Sequence, residues 1–402
     1  MNMETTIAKT TTTAKGRRAF GDYLGRSHKG PLGEWFWEID RVLLLLVTIL
    51  ISIGLIGVAA ASPAAAERYS GENFQFPQLY YFYRQLIWLG AGIPLILVIS
   101  TMPKELAKRF ALAGAVCFFI LLLLVPFLGN EVNGARRWIG YGFATLQPSE
   151  FLKPFFIVAT AWLLSLRFTQ DPTLTVVWAT AILTGVIALL LMRQPDFGQT
   201  VIFGSVWIVM LMISGVSPKI LGGLSALAVA GLGAAYFFYP VATTRINNFL
   251  FAEGDSYQVD NAMRTLTNGG IFGTGPGDGE MKYRLPEPHT DYIFSVIGEE
   301  FGLIACLGIA LIFGAIVVRV FVKLIDEENI FYLLASAGLA TQFAIQALIN
   351  MAVNLDMAPS KGMTLPFISY GGSSLIALSI GFGLLLAFTR RNPHLPALDR
   401  RL

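Results

Sequence analysis

The chain has 402 residues, of which 54% are hydrophobic and only 14% charged, and its 29 Lys and Arg exceed its 26 Asp and Glu by a net +3. A soluble domain carries about a quarter charged residues, so the composition excludes one and indicates an integral membrane protein.

Residues 1–41 contain no apolar core of a cleavable signal peptide and read as a Thr/Lys-rich cytoplasmic tail, largely disordered. Trp35, Phe36 and Trp37 at its end suit the inner membrane interface, where amphipathic rings settle. Beyond the tail, apolar windows long enough to cross about 30 Å of hydrocarbon recur to the end of the chain. They predict ten spans, at 42–62, 80–100, 107–128, 149–167, 174–192, 198–216, 219–242, 292–322, 330–353 and 365–389. The fold class is therefore all-α and polytopic: a membrane domain over 42–389, a large outer loop at 243–290 between helices 7 and 8, and a cytoplasmic C-terminal tail at 390–402. With both termini inside, 18 of the 29 basic residues fall on the cytoplasmic side, as the positive-inside rule requires. Cys117 and Cys306 lie within apolar spans and read as small buried hydrophobes, with no metal-ligand spacing. No internal repeat of the transporter kind is visible.

The charged outer segments hold the candidate chemistry. In NGARRWIGYGFATLQPSEFLKP, Arg136 and Arg137 run against the positive-inside bias and could grip an anion. Glu150 and Lys153 follow at i and i+3 on one helix face, where a structural ion pair is the competing reading. MRQPDFGQ, with Arg193, Pro195 and Asp196, reads as a turn between two spans. GGIFGTGPGDGE lacks the preceding strand and the Lys of a phosphate loop, so it reads as a flexible, close-packing hinge. The stretch NLDMAPSKGMTLPFISYGGSS opens the last span with Lys361 beside Gly362, and its serines suit close helix packing better than nucleophilic catalysis. In LPEPHTDYIFSVIGEEFG, Asp291 can cap the helix that follows, but Glu299 and Glu300 lie about 12 to 13 Å deeper, where unpaired charge is costly. Helical geometry turns Glu299 toward a cavity shared with Asp291 and Glu300 toward another helix, with Lys153 or Arg84 as partner by depth.

In order and spacing, GARRWI…QPSE, QPDFG, LPEPHTDYIFSVIGEE and KGMTLPFISYGGSS resemble the SEDS family of cell-wall polymerases, over essentially all ten spans. The Lys-Gly before TLPFISYGGSS is more similar to the cell-division branch than to the elongation branch. The chain departs from the family in HTDY where HTDF is commoner, and in lacking a proline-marked segment after Arg245, Ile246 and Phe249. The resemblance implies a peptidoglycan glycosyltransferase that polymerises lipid II at the outer face of the cytoplasmic membrane, at the division septum. It implies Asp291 as the general base, with Arg84, Arg136, Arg137, Lys153 and Lys361 around the departing pyrophosphate and Glu150, His289 and Glu299 lining the site. A divalent cation, Mg²⁺ or Mn²⁺, is the only cofactor it suggests. The expected partners are lipid II, a class B penicillin-binding protein of the FtsI type, other division proteins and membrane lipid, with no nucleic acid. A lipid II flippase, an elongation-type polymerase and a division scaffold are the alternatives that the residues leave open.

Overall fold

The computed structural model describes residues 31–71, 74–132, 135–140, 145–168, 174–251, 257–359 and 362–391. It divides into two units, Asp40–Arg390 and a smaller one outside it. Of the smaller unit, helix α1 (Pro31–Glu38) is described, with Phe36 and Trp37 exposed.

The larger unit is built from helices α2 (Arg41–Tyr69), α3 (Tyr80–Thr101), α4 (Lys104–Leu128), α5 (Pro148–Leu166), α6 (Leu174–Arg193), α7 (Phe197–Ile213), α8 (Pro218–Phe238), α9 (Pro240–Phe251), α10 (Tyr257–Asn268), α11 (Ile293–Leu324), α12 (Ile330–Asn354) and α13 (Gly372–Phe388). A hairpin of β1 (Asn130–Val132) and β2 (Ala135–Trp138) links α4 to α5, and a 3₁₀ turn covers Met281–Arg284. Eight of the described helices are long and apolar enough to cross a membrane; α7 and α13, at 17 residues each, are shorter apolar helices on the two remaining expected spans. The chain is an all-α, multi-pass membrane protein.

The helices α5, α12 and α13 are the most enclosed and form the centre of the bundle. Helix α12 packs on α5, α7 and α11, while α13 packs on α3 and α5. At one end of the unit Asp40 caps α2 through the amides of Val42 and Leu43. Its carboxylate also meets Arg319 at 2.9 Å and Lys323 at 3.0 Å on α11, and Lys323 reaches the carbonyl of Thr389 after α13. These cations lower the Asp40 pKa against the opposing effect of its burial.

Two expectations about the elements need correction. The last span begins at Gly372, seven residues after the predicted 365, because Phe367 takes φ 61° and the chain there folds as a turn. That turn packs against α2 so closely that a Cβ on Gly54 would lie 2.5 Å from the Phe367 carbonyl oxygen. Helix α11 is broken at Gly302 (φ 78°, ψ −179°), and the glycine loop 269–275 is pinned against the break instead of swinging as a hinge.

Candidate functional site

A buried polar ladder on α12 organises the other end of the bundle. Gln342, Gln346, Asn350 and Asn354 recur every four residues, so they share one face of the helix, and all are buried. Asn350 Nδ2 donates to the carbonyls of Asp291 (2.9 Å) and Met363 (2.6 Å), and Asn354 Nδ2 donates to the Asp291 carbonyl at 3.0 Å. Asn354 Oδ1 in turn accepts from the amide and hydroxyl of Ser295. Ser369 Oγ donates to the Thr290 carbonyl at 2.6 Å, and the Tyr370 amide to the His289 carbonyl at 2.9 Å. The backbone of 289–291 is therefore fastened to both α12 and the 363–370 turn. The Asp291 carboxylate faces that turn: a Cβ placed on Gly362 would lie 3.3 Å from Oδ2. Lys361, the neighbour of Gly362, lies outside the described residues.

One turn earlier on α12, Gln346 Nε2 donates to Thr364 (carbonyl 3.1 Å, hydroxyl 3.3 Å), while its Oε1 accepts from Lys153 Nζ at 3.0 Å. Lys153 is also ion-paired to Glu150 at 2.9 Å, with side chains 2% and 7% exposed, and Gln199 Nε2 donates to the other Glu150 oxygen. The expected pair on α5 is thus present, and α12 links it to the segment beside Asp291. The ladder itself went unnoticed in the sequence. The signal lay in TQFAIQALINMAVN, whose amides return at helical spacing within an apolar span.

His289 is 4% exposed and sits among the rings of Tyr81 (4.1 Å), Tyr370 (5.2 Å) and Tyr69 (6.1 Å). Burial lowers its pKa to about 3, so the imidazole is neutral at physiological pH and packs as an uncharged ring among these tyrosines. Arg84 joins the same cluster, its guanidinium 5.6 Å from the Tyr80 ring and 5.9 Å from the Tyr370 ring.

Strand alternation sends the two arginines of β2 in different directions. Arg136 is exposed and pairs across the hairpin with Glu131 at 3.3 Å. Arg137 turns toward the α6–α7 turn, donating to the carbonyls of Gln194 and Pro195 and lying 4.0 Å from Asp196. Asp196 is itself an N-cap, accepting from the Gln199 amide, and its pKa is raised by burial, which outweighs Arg137. Arg137 therefore clamps the QPDFG turn with the donors that would otherwise face an anion.

The two glutamates of α11 also depart from expectation. Glu299 does not point into a shared cavity with Asp291; its carboxylate accepts from the amides of Met281 (2.7 Å) and Lys282 (3.0 Å) and from Asn268 Nδ2 (2.9 Å), which hold the 3₁₀ turn in place. Glu300 pairs with Lys282, and not with Lys153 or Arg84. Lys282 was missed because it lies in a loop whose depth no periodicity encodes. Among the described residues no three His, Cys, Asp or Glu side chains converge as a metal-binding group.

Residues 40–394 match the family model described as cell cycle protein (FtsW, RodA, SpoVE). The chain is 38% identical to the probable peptidoglycan glycosyltransferase FtsW of Caulobacter vibrioides, covering 92% of this chain and 93% of that protein. It is 33% identical to the protein of that name in Coxiella burnetii, over 89% and 98% of the two chains. Among solved structures, it superposes with TM-score 0.71 and 28% identity on a chain from work on coordination of polymerization and crosslinking by a peptidoglycan synthase complex, covering 89% of this chain and 99% of that one. The Thermus thermophilus rod shape determining protein RodA gives TM-score 0.62 at 27% identity, over 87% and 96% of the two chains. The chain belongs to the FtsW/RodA/SpoVE family of cell cycle proteins, the SEDS family that its motifs resemble.

Proposed function

We propose that this protein is a peptidoglycan glycosyltransferase that polymerises lipid II at the outer face of the cytoplasmic membrane, with Asp291 as general base. The observation that carries the reading is the fastening of Asp291: its carbonyl is held by Asn350 and Asn354, and its carboxylate lies beside Gly362. The acceptor sugar hydroxyl transfers its proton to that carboxylate as it attacks the anomeric carbon of the donor. The leaving group is a lipid pyrophosphate, which departs without protonation, so one carboxylate suffices where a glycosidase needs two. Direct displacement inverts the anomeric centre. Fixed cations stabilise the charge that develops on the pyrophosphate. Lys153 and Arg84 are the described candidates with their surroundings preorganised, and Lys361 adjoins Gly362 in sequence. Arg136, exposed on the hairpin, suits a first encounter with an anionic substrate.

We assign the end that carries Asp291 to the outside and the end that carries Asp40 to the cytoplasm, with both termini inside and the protein at the division septum. The relatives named FtsW support the septal assignment. A class B penicillin-binding protein is the proposed partner, supported by similarity to a chain from a complex that coordinates polymerization with crosslinking.

Incubating the purified chain and its transpeptidase partner with lipid II in detergent, and sizing the products, tests the proposal. Detergent removes the two sides of the membrane, so polymer formation there rules out flipping as the whole activity. Asp291→Asn is expected to lower turnover by about 100-fold or more while leaving the protein monodisperse. Near-normal turnover in that variant would overturn the assignment of the base.

A further inference from the structure

The loop 269–275 occupies the break in α11 bond for bond. An unbroken helix would pair the amides of Leu303 and Ile304 with the carbonyls of Glu299 and Glu300. Gly302 prevents this, and the loop supplies all four missing partners. The amides of Thr274 and Gly275 donate to the carbonyls of Glu299 (2.9 Å) and Glu300 (3.1 Å), and the carbonyls of Gly270 and Ile271 accept from Leu303 (3.0 Å) and Ile304 (3.3 Å). The fit leaves no room for side chains: a Cβ on Gly302 would lie 2.3 Å from the Ile271 oxygen, and one on Gly273 2.2 Å from the Glu300 oxygen. The depth of the loop is thus set by the depth of the break.

That depth can be counted from the other end of the helix. Seventeen residues separate Gly302 from Arg319, which pairs with Asp40, and at 1.5 Å per residue this is about 25 Å, within the roughly 30 Å of a hydrocarbon core. Any tilt of α11 shortens the projected distance and brings the break deeper. Irregular backbone at such a depth is tolerated where protein satisfies its polar groups, as the four bonds do here. The side chains at the loop tip are apolar and uncovered: Ile271 is 59% exposed and Phe272 81%. They adjoin Leu303, Ile304, Leu307 and Leu311, the exposed apolar side of a membrane-spanning helix, through the backbone bonds just described.

We propose that the tip of this loop is a membrane anchor, with Ile271 and Phe272 inserted among the acyl chains of the leaflet on the Asp291 side. Bilayer lipid is the occupant because the tip continues the exposed apolar side of α11, a helix long and apolar enough to span the membrane. Burying two such side chains fixes the depth of the loop, including the 3₁₀ turn and Lys282, relative to the bilayer.

Spin-label accessibility in lipid nanodiscs tests this without reference to activity. In a Cys117→Ser background, with Cys306 buried, nitroxides are placed by Phe272→Cys and, as a second probe should the first fail to fold, by Ile271→Cys. Leu307→Cys provides the lipid reference and the exposed Tyr283→Cys the aqueous one. The expected result is relaxation by oxygen well above relaxation by a water-soluble nickel chelate, as at position 307. Dominance of the nickel chelate, as at position 283, would overturn the anchor. Shielding from both reagents would also overturn it, by showing that protein and not lipid covers the tip.

Discussion

The side chain of Asn350 shows how a buried amide can serve catalysis without touching substrate. One NH₂ group joins the carbonyls of Asp291 and Met363, so the base and the segment beside it keep a fixed separation. Misplacement of a reacting group by an ångström can cost about two orders of magnitude in rate. Asn350→Ala is therefore expected to lower kcat for lipid II polymerisation by roughly 10- to 100-fold with little change in KM, measured on initial rates. The Asp291 carbonyl keeps Asn354, but the Met363 carbonyl loses its Asn350 donor, which costs about 1–3 kcal/mol in stability, visible as a lower midpoint of thermal unfolding. A proportional rise in KM at unchanged kcat would instead mark Asn350 as a substrate contact. The sequence made the Glu150–Lys153 pair legible because charge inside an apolar run has few explanations, whereas Asp291 was singled out by the family resemblance. Helical geometry separated Glu299 from Glu300 but gave neither its partner, since those at 268 and 281–282 come from a loop with no helical period.

Among the elements, α11 and the loop before it behave as one construction. Lys282 and Glu300 form an ion pair whose side chains are 1% and 0% exposed. Removing one member of such a pair leaves a buried charge and costs about 3–5 kcal/mol, whereas removing both is far milder. Lys282→Met should thus lower the unfolding midpoint sharply, and Lys282→Met with Glu300→Gln should recover much of it, as followed by fluorescence-monitored melting. Equal destabilisation in the single and double variants would show that packing, and not charge, holds the turn. The spans of this region were readable from hydropathy, and α11 falls within two residues of its expected bounds. The break was not, because a lone glycine in an apolar helix carries no mark of the φ it will adopt.

For the molecule as a whole, acid sensitivity follows from groups outside the spans. The folded-state pKa of His289, about 3, is below its ordinary 6.5, so the folded protein binds fewer protons than the unfolded chain between those values. Its contribution is present above pH 6.5 and is lost progressively as pH falls toward 3. Asp40, also lowered, loses its contribution at still lower pH than an ordinary carboxylate, and Asp196, which is raised, acts in the opposite direction. The unfolding temperature in detergent should accordingly fall as pH drops below about 6.5, and His289→Gln should flatten that first part of the curve. An unchanged slope in the variant would assign the acid limb to other groups.

The patched helix also bears on how the chain is made. Residues 269–275 leave the ribosome before α11, so the strand that completes the helix is at hand when its broken middle enters the bilayer. Had the order been reversed, four naked peptide groups would have waited in oil for a later segment. Biogenesis and architecture agree here: the splint arrives ahead of the fracture.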